Sequence, residues 1–279
     1  MKKKILKIVL ISVAVAVVGV LIWLLLGFFG NPVSKYLAEK SAQEYLETNF
    51  SDTDYEIEDA FYDFKSSAYS VRVKSPSSED SSFSIMAGLD GKVYHDTYES
   101  NVFERGNTAN RIGNDYRKAV ENIFNSKDFP YNADIAFGDI EFVSMSYIDE
   151  QGLPEYAIIT NELELDKEYD IKDFGTRAGH LTVYIQNNTV NTEKLAEILL
   201  KIKDLFDKNG VTFYVIDCVL EYPKLEDDKP KSDFRVEVKD FLYTDIYETG
   251  MEHRISEADK EAKAYWQAED EKNEKGETK

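Results

Sequence analysis

Cysteine is almost absent: Cys218 is the only one in 279 residues. No intramolecular disulfide can form, and iron–sulfur, haem-thiolate or cysteine-rich zinc ligation has no residues to build on. Lipid attachment through a cysteine near the N-terminus is excluded for the same reason. Histidine is nearly as scarce. His95, His180 and His253 are the whole supply, and no two stand at the i, i+4 spacing of a helical zinc pair. The chain has neither the Gly-x-Ser-x-Gly turn of a nucleophile elbow nor a Gly-x-Gly-x-x-Gly phosphate loop, so classical hydrolase and dinucleotide chemistry find no support. Basic charge is short too: 33 Lys and Arg face 53 Asp and Glu, for a net charge of −20. That field repels phosphate backbones and anionic head groups, so nucleic acid is not an expected partner.

Charge of either sign is missing from Ile8 to Gly30, twenty-three residues preceded by Lys2, Lys3, Lys4 and Lys7. As a helix this run is roughly 34 Å long, enough for a hydrocarbon core of about 30 Å. It predicts a single transmembrane anchor engaging the bilayer through residues 8–30. The lysines then stay cytoplasmic, and everything from Asn31 onward lies outside. Trp23, Phe28 and Phe29 suit the outer interfacial belt. The rival possibility is a cleaved secretion signal, against which stand the length of the run and its exit through Gly27-Phe28-Phe29-Gly30. All the acidic residues and 29 of the basic ones follow the run, giving that part a charge of −24. It would not repel a cationic protein, a peptide or divalent ions, although a solvated acidic coat is the plainer explanation.

The remaining chain reads as two α+β modules with antiparallel or mixed sheets. Residues 31–130 carry a helix opened by Asn31-Pro32, four strand-like runs and a second amphipathic helix near Thr108–Phe124. The runs are Tyr55–Phe64, Ala68–Lys74, Ser82–Ala87 and Lys92–Thr97, the last two flanking the hairpin signal Gly88-Leu89-Asp90-Gly91. Ser126–Asn132 breaks both periodicities and reads as the junction. Residues 131–250 then show strand patterns at Ile135–Val143, Glu155–Leu165, His180–Gln186, Val211–Tyr222 and Phe234–Lys239. Between the third and fourth lies the clearest helix, Thr192–Lys208, with Leu195, Ile198, Leu199, Ile202, Leu205 and Phe206 in register. Strand, helix, strand predicts a crossover on a mixed sheet. Residues 251–279 form a charged, partly helical tail whose stripe of Ile255, Ala258, Ala262, Tyr265 and Trp266 either docks back or awaits a partner.

Residues able to carry chemistry are few. Cys218 sits where both alternating faces are apolar and reads as a buried small hydrophobe. His95 lies on a hairpin strand and His253 in the tail. His180 follows Gly179 at a strand entrance and is the best placed of the three, though a histidine bonding the backbone of a turn is the simpler explanation. Asp52, Asp54, Glu56, Glu58 and Asp59 crowd one segment and Glu226-Asp227-Asp228 another, without the spacing of a calcium loop. Gly106–Gly113 lacks the preceding strand of a phosphate cradle. No catalytic, cofactor or metal residue is assigned, and no cofactor is expected.

Several segments nonetheless resemble one family throughout the chain beyond Gly30. They are Gly30-Asn-Pro-Val-Ser-Lys35, Ser75-Pro-Ser-Ser78, Asp96-Thr-Tyr-Glu99, Phe129-Pro-Tyr131, Ile135-Ala-Phe-Gly138, Leu165-Asp-Lys-Glu-Tyr-Asp170, Ala178-Gly-His-Leu181 and Val219-Leu-Glu-Tyr-Pro223. In this order they resemble the YfjL-like proteins, membrane-anchored proteins of Gram-positive bacteria with an N-terminal and a C-terminal domain. The resemblance implies cell-surface placement and the two-module plan, and it carries over no catalytic residue. The first module also looks like small α+β domains of the PepSY or cystatin type, an analogy of fold alone. The expected function is a non-enzymatic, membrane-tethered extracytoplasmic module that binds a protein, a peptide or a cell-wall component. A carboxylate-dependent cell-envelope hydrolase and an accessory subunit of a membrane complex are the alternatives.

Overall fold

The computed structural model describes the backbone of residues 2–223 and 234–274, with side chains for all of these except 2–9, 21–26 and 274. Two compact units form, Met1–Thr108 with Glu164–Asp166, and Ala109–Leu163 with Lys167–Lys279. The division falls at Thr108/Ala109 rather than at the composition break near residue 130, because Ala109, Ile112, Tyr116 and Val120 all join the second unit's core.

The expectation of a transmembrane helix fails: among the described residues, no helix is long and apolar enough to cross a membrane. Lys2–Phe29 is one helix, α1. The fold is α+β with antiparallel and mixed sheets.

In the first unit, Asn31 caps α2 (Pro32–Asn49) by accepting a hydrogen bond from the Ser34 amide at 2.8 Å. Ala38, Ala42 and Leu46, four residues apart, place a narrow buried stripe over an antiparallel meander. Its strands are β1 (Glu56–Asp63), β2 (Ala68–Lys74), β3 (Ser82–Gly88) and β4 (Val93–Asp96), hydrogen-bonded in chain order. The β3–β4 turn needs glycine at Gly91, whose φ is +81°. Val71, Val73, Phe83 and Ile85 fill the core, and Phe50, Tyr55, Phe83 and Tyr98 stack edge to face or tilted around its end. Asp80 is buried but well partnered. Its Oδ2 accepts from Thr108 Oγ1 and from the Asp166 amide, both at 2.9 Å, while its own amide donates to Asp166 Oδ1 at 3.0 Å. That exchange binds Glu164–Asp166 to this unit.

The second unit uses α3 (Gly106–Phe124) from Ala109 onward, then β5 (Asn132–Ile140), β6 (Phe142–Val143), α4 (Met145–Gln151), β7 (Ile158–Ile159) and α5 (Ile171–Ala178). It continues with β8 (Gly179–Gln186), α6 (Thr192–Asn209), β9 (Val215–Glu221), β10 (Arg235–Leu242) and α7 (Met251–Glu274). Its main sheet has the order β10-β9-β8-β5, with β8 and β9 parallel across α6 and the outer pairs antiparallel. Alternation sorts the two faces. Leu181, Val183 and Ile185 of β8 lie level with Ile216, Cys218 and Leu220 of β9, and all six are buried in the core that α3 and α6 share. The opposite face carries Ile135 and Phe137, Thr182 and Tyr184, Asp217 and Val219, then Arg235 and Glu237, strand by strand across the sheet.

Glu155–Leu165, which alternates like a strand, contributes only the two residues of β7 before a 3-10 turn at Thr160–Glu162. The tail does dock: Met251 and Ile255 of α7 are in the core, and Ala262 is buried as well. Asp259 of α7 accepts the Glu237 amide of edge strand β10 at 2.9 Å, which occupies a donor that the sheet leaves open.

Candidate functional site

His180 enters β8 directly from α5. Glycine is required just before it, since a Cβ on Gly179 would lie 2.6 Å from both Gly175 O and Tyr116 Oη. The imidazole therefore emerges on the open face of the sheet at a fixed point, and it does not bond turn backbone. Three carboxylates and a tyrosine surround it. Nε2 lies 3.2 Å from Asp217 Oδ2 of β9, and Nδ1 lies 3.5 Å from Glu141 Oε1. Tyr156 Oη is 3.0 Å from Nδ1 and donates to Asp240 Oδ1 of β10 at 3.1 Å. Asp240 occupies a bulge where the β9–β10 register slips between Val238 and Phe241. Its φ is +48°, a left-handed value, and its amide donates to Asp217 Oδ1 at 2.6 Å. Lys239 Nζ pairs with the other Asp240 oxygen.

Burial alone would lower the His180 pKa, but the Asp217 and Glu141 carboxylates outweigh it and push it up to about 9. Burial would raise the pKa of Asp217, yet the adjacent His180 holds this carboxyl below its ordinary range. Burial, with Asp240 beside it, pushes the Tyr156 hydroxyl up, so it stays a donor. His180 Nε2 is buried and, despite its closeness to Asp217, makes no aligned hydrogen bond with it. His180, Asp217 and Asp240 are the one group of three His, Cys, Asp or Glu among the described residues whose ligand atoms, all within 4.8 Å of one another, could hold a metal ion.

Beside this cluster a cleft of about 220 Å³ opens between the sheet face and α7, lined by Tyr184, Asp217, Val219, Arg235, Glu237 and Trp266 among others. A second hollow continues it along β10 past Phe234, Lys263 and Asp270. Glu237 is buried and pairs with Arg235 at 3.0 Å. Trp266 keeps 41% of its surface exposed at the rim. Ile135 and Phe137, at 42% and 43%, leave the far side of the same face apolar and open.

The other residues singled out in the sequence do not converge. His95 and His253 are exposed on β4 and α7. Asp52, Asp54, Glu56, Glu58 and Asp59 all face solvent, and Asp59 pairs with Lys35 at 2.8 Å. Glu226, Asp227 and Asp228 lie outside the described residues. Cys218 is buried, its thiol pushed up to about 12 by burial and then by Asp217. Of the cluster, His180 stands out in the sequence, whereas Tyr156, Asp217 and Asp240 do not. One signal points to Asp240: continuing the alternation of Val236 and Val238 would send it into the core, which a carboxylate avoids unless the strand bulges there.

Comparison with known sequences agrees with this architecture. Residues 2–97 match the model of the YfjL-like, N-terminal domain, and residues 115–256 match that of the YfjL-like C-terminal domain. No curated protein and no solved structure matches significantly. The chain belongs to the YfjL-like family.

Proposed function

We propose that the protein is a non-catalytic binding module that holds a cationic peptide segment of a partner protein in the cleft between the second unit's sheet and α7. The observation that carries this reading is the exposed Trp266 standing over a cleft floored by Tyr184 and Val219, with Asp217, Lys239 and the Arg235–Glu237 pair around it. A partly exposed tryptophan beside a concave polar and apolar surface is the composition of an interface hot spot. The net charge of −20 favours encounter with basic partners.

Hydrolysis by paired carboxylates fits the same cleft less well. A general acid needs a carboxyl held protonated, whereas Asp217 is shifted the other way by His180 and Glu237 is tied to Arg235. An accessory-subunit role through a free tail has less to use, because Met251, Ile255 and Ala262 of α7 are committed to their own unit. We further propose that the module works outside the cytoplasm. Lys2, Lys3, Lys4 and Lys7 ahead of the uncharged residues 8–30 support this reading, and protease added to intact cells should degrade the second unit.

Selection of displayed random peptides on the intact protein tests the ligand reading. Enriched peptides should be basic, should bind less tightly as salt rises, and should lose at least about tenfold in affinity in Trp266→Ala, a typical hot-spot effect. Enrichment of peptides indifferent to both salt and Trp266→Ala would refute it.

A further inference from the structure

We propose that His180, Asp217 and Asp240 bind one divalent transition-metal ion, of the zinc or manganese type, through an imidazole nitrogen and two carboxylate oxygens. Tyr156 Oη donates to Asp240 Oδ1, so toward His180 it can only accept, and Nδ1 carries the proton between them. Nε2 is then the ring nitrogen left to face the carboxylates, 3.2 Å from Asp217 Oδ2, and the ligand atoms of His180, Asp217 and Asp240 all lie within 4.8 Å of one another.

The 3.2 Å contact between Nε2 and Asp217 Oδ2 is not aligned as a hydrogen bond. Two ligands of a tetrahedral centre with bonds near 2.0–2.1 Å are about 3.3 Å apart, with both lone pairs aimed at a common point and not at each other. The observed separation and the missing hydrogen bond have that form. Tyr156 meanwhile does what an outer partner of a metal-bound histidine does, fixing tautomer and ring orientation through the other nitrogen.

Charge points the same way. Glu141, Asp217 and Asp240 place three carboxylates around one imidazole and one ammonium, that of Lys239. Three carboxylates against one ammonium leave two surplus negative charges, which one divalent ion balances. An imidazole among the donors favours zinc over calcium or magnesium, and the two carboxylates suit manganese as well. Asp240 is exposed on its outer side, which leaves coordination positions to water.

The test is calorimetric titration of the chelator-treated full chain with zinc and, separately, manganese chloride. The expected result is saturable uptake of one ion per chain. Asp240→Asn should weaken it at least about tenfold while keeping a side chain that accepts the left-handed φ. Tyr156→Phe should weaken it about 10–100-fold, as loss of an outer partner does. His95→Ala and His253→Ala should leave it unchanged. A zinc-induced rise in Tm, present in the native chain and absent in Asp240→Asn, should accompany the binding and shows at once that the variant folds. Absence of saturable uptake, uptake equal in Asp240→Asn and His180→Gln to that of the native chain, or uptake that disappears with His253→Ala would each overturn the site.

Discussion

Asp240 concentrates the local physics of the second unit. A non-glycine residue at φ +48° costs about 1–2 kcal/mol unless its own side chain bonds locally, which aspartate can do. Two variants that both remove the carboxylate separate backbone strain from lost contacts. Asp240→Gly should be more stable than Asp240→Ala by about 1 kcal/mol, read as the difference in urea midpoint at equal slope. Equal midpoints would mean that the bulge relaxes freely. Cys218 offers a second check at this scale. With its thiol buried and pushed up to about 12, it should resist alkylation at pH 8 in the folded chain and react at the ordinary rate in denaturant. Its burial was legible from the apolar run Val215–Leu220, in which Asp217 alone interrupts the pattern. The role of Asp217 was not legible, because its partners come from other segments and no local periodicity records a meeting of distant strands.

Among elements, those with strong periodicity were readable and those built by tertiary context were not. The stripe of Leu195, Ile198, Leu199, Ile202, Leu205 and Phe206 predicts α6 within a residue or two of Thr192–Asn209, and Gly210 stops it with a left-handed φ of +68°. Ala68–Lys74 is β2 to the residue. By contrast, Ala157, Ile159, Asn161, Leu163 and Leu165 alternate as a strand would, yet only Ile158–Ile159 pairs, with β6. Leu163 instead fills the second core while Leu165 packs on the first, so a single run divides between two cores. Segments α4 and α5 are too short to declare a stripe. The tail was legible in its apolar stripe but not in its destination. Because Ile255 of α7 is fully buried, Ile255→Ala should destabilise the protein by about 2–5 kcal/mol, whereas Tyr265→Ala, at the exposed end, should change the thermal midpoint little. Near-equal effects would show that α7 does not belong to the core.

For the whole molecule, two cores in one chain were foreseeable from length and from the helix–meander and strand–helix–strand patterns. The dividing line was not, because α3 continues past Thr108 and its stripe serves the second core from Ala109 onward. Return of Glu164–Asp166 to the first unit was equally hidden. It rests on hydrogen bonds between Asp80 and Asp166, residues 86 positions apart. A fragment of residues 31–108 lacks those partners, leaves a buried carboxylate short of one donor, and should exchange its β2 and β3 amides faster than the same amides in the full chain. Equal protection in both would show that the returning segment is dispensable.

The binding role rests on Trp266 forming the rim of an occupied cleft, and fluorescence can watch that residue by itself. Trp23 is the only other tryptophan, so a Trp23→Phe chain reports Trp266 alone. Titrated with a basic peptide selected on the intact protein, its emission should shift to shorter wavelength and saturate at the affinity measured by calorimetry. Peptide that binds with full affinity while the Trp266 emission stays unchanged would contradict that role.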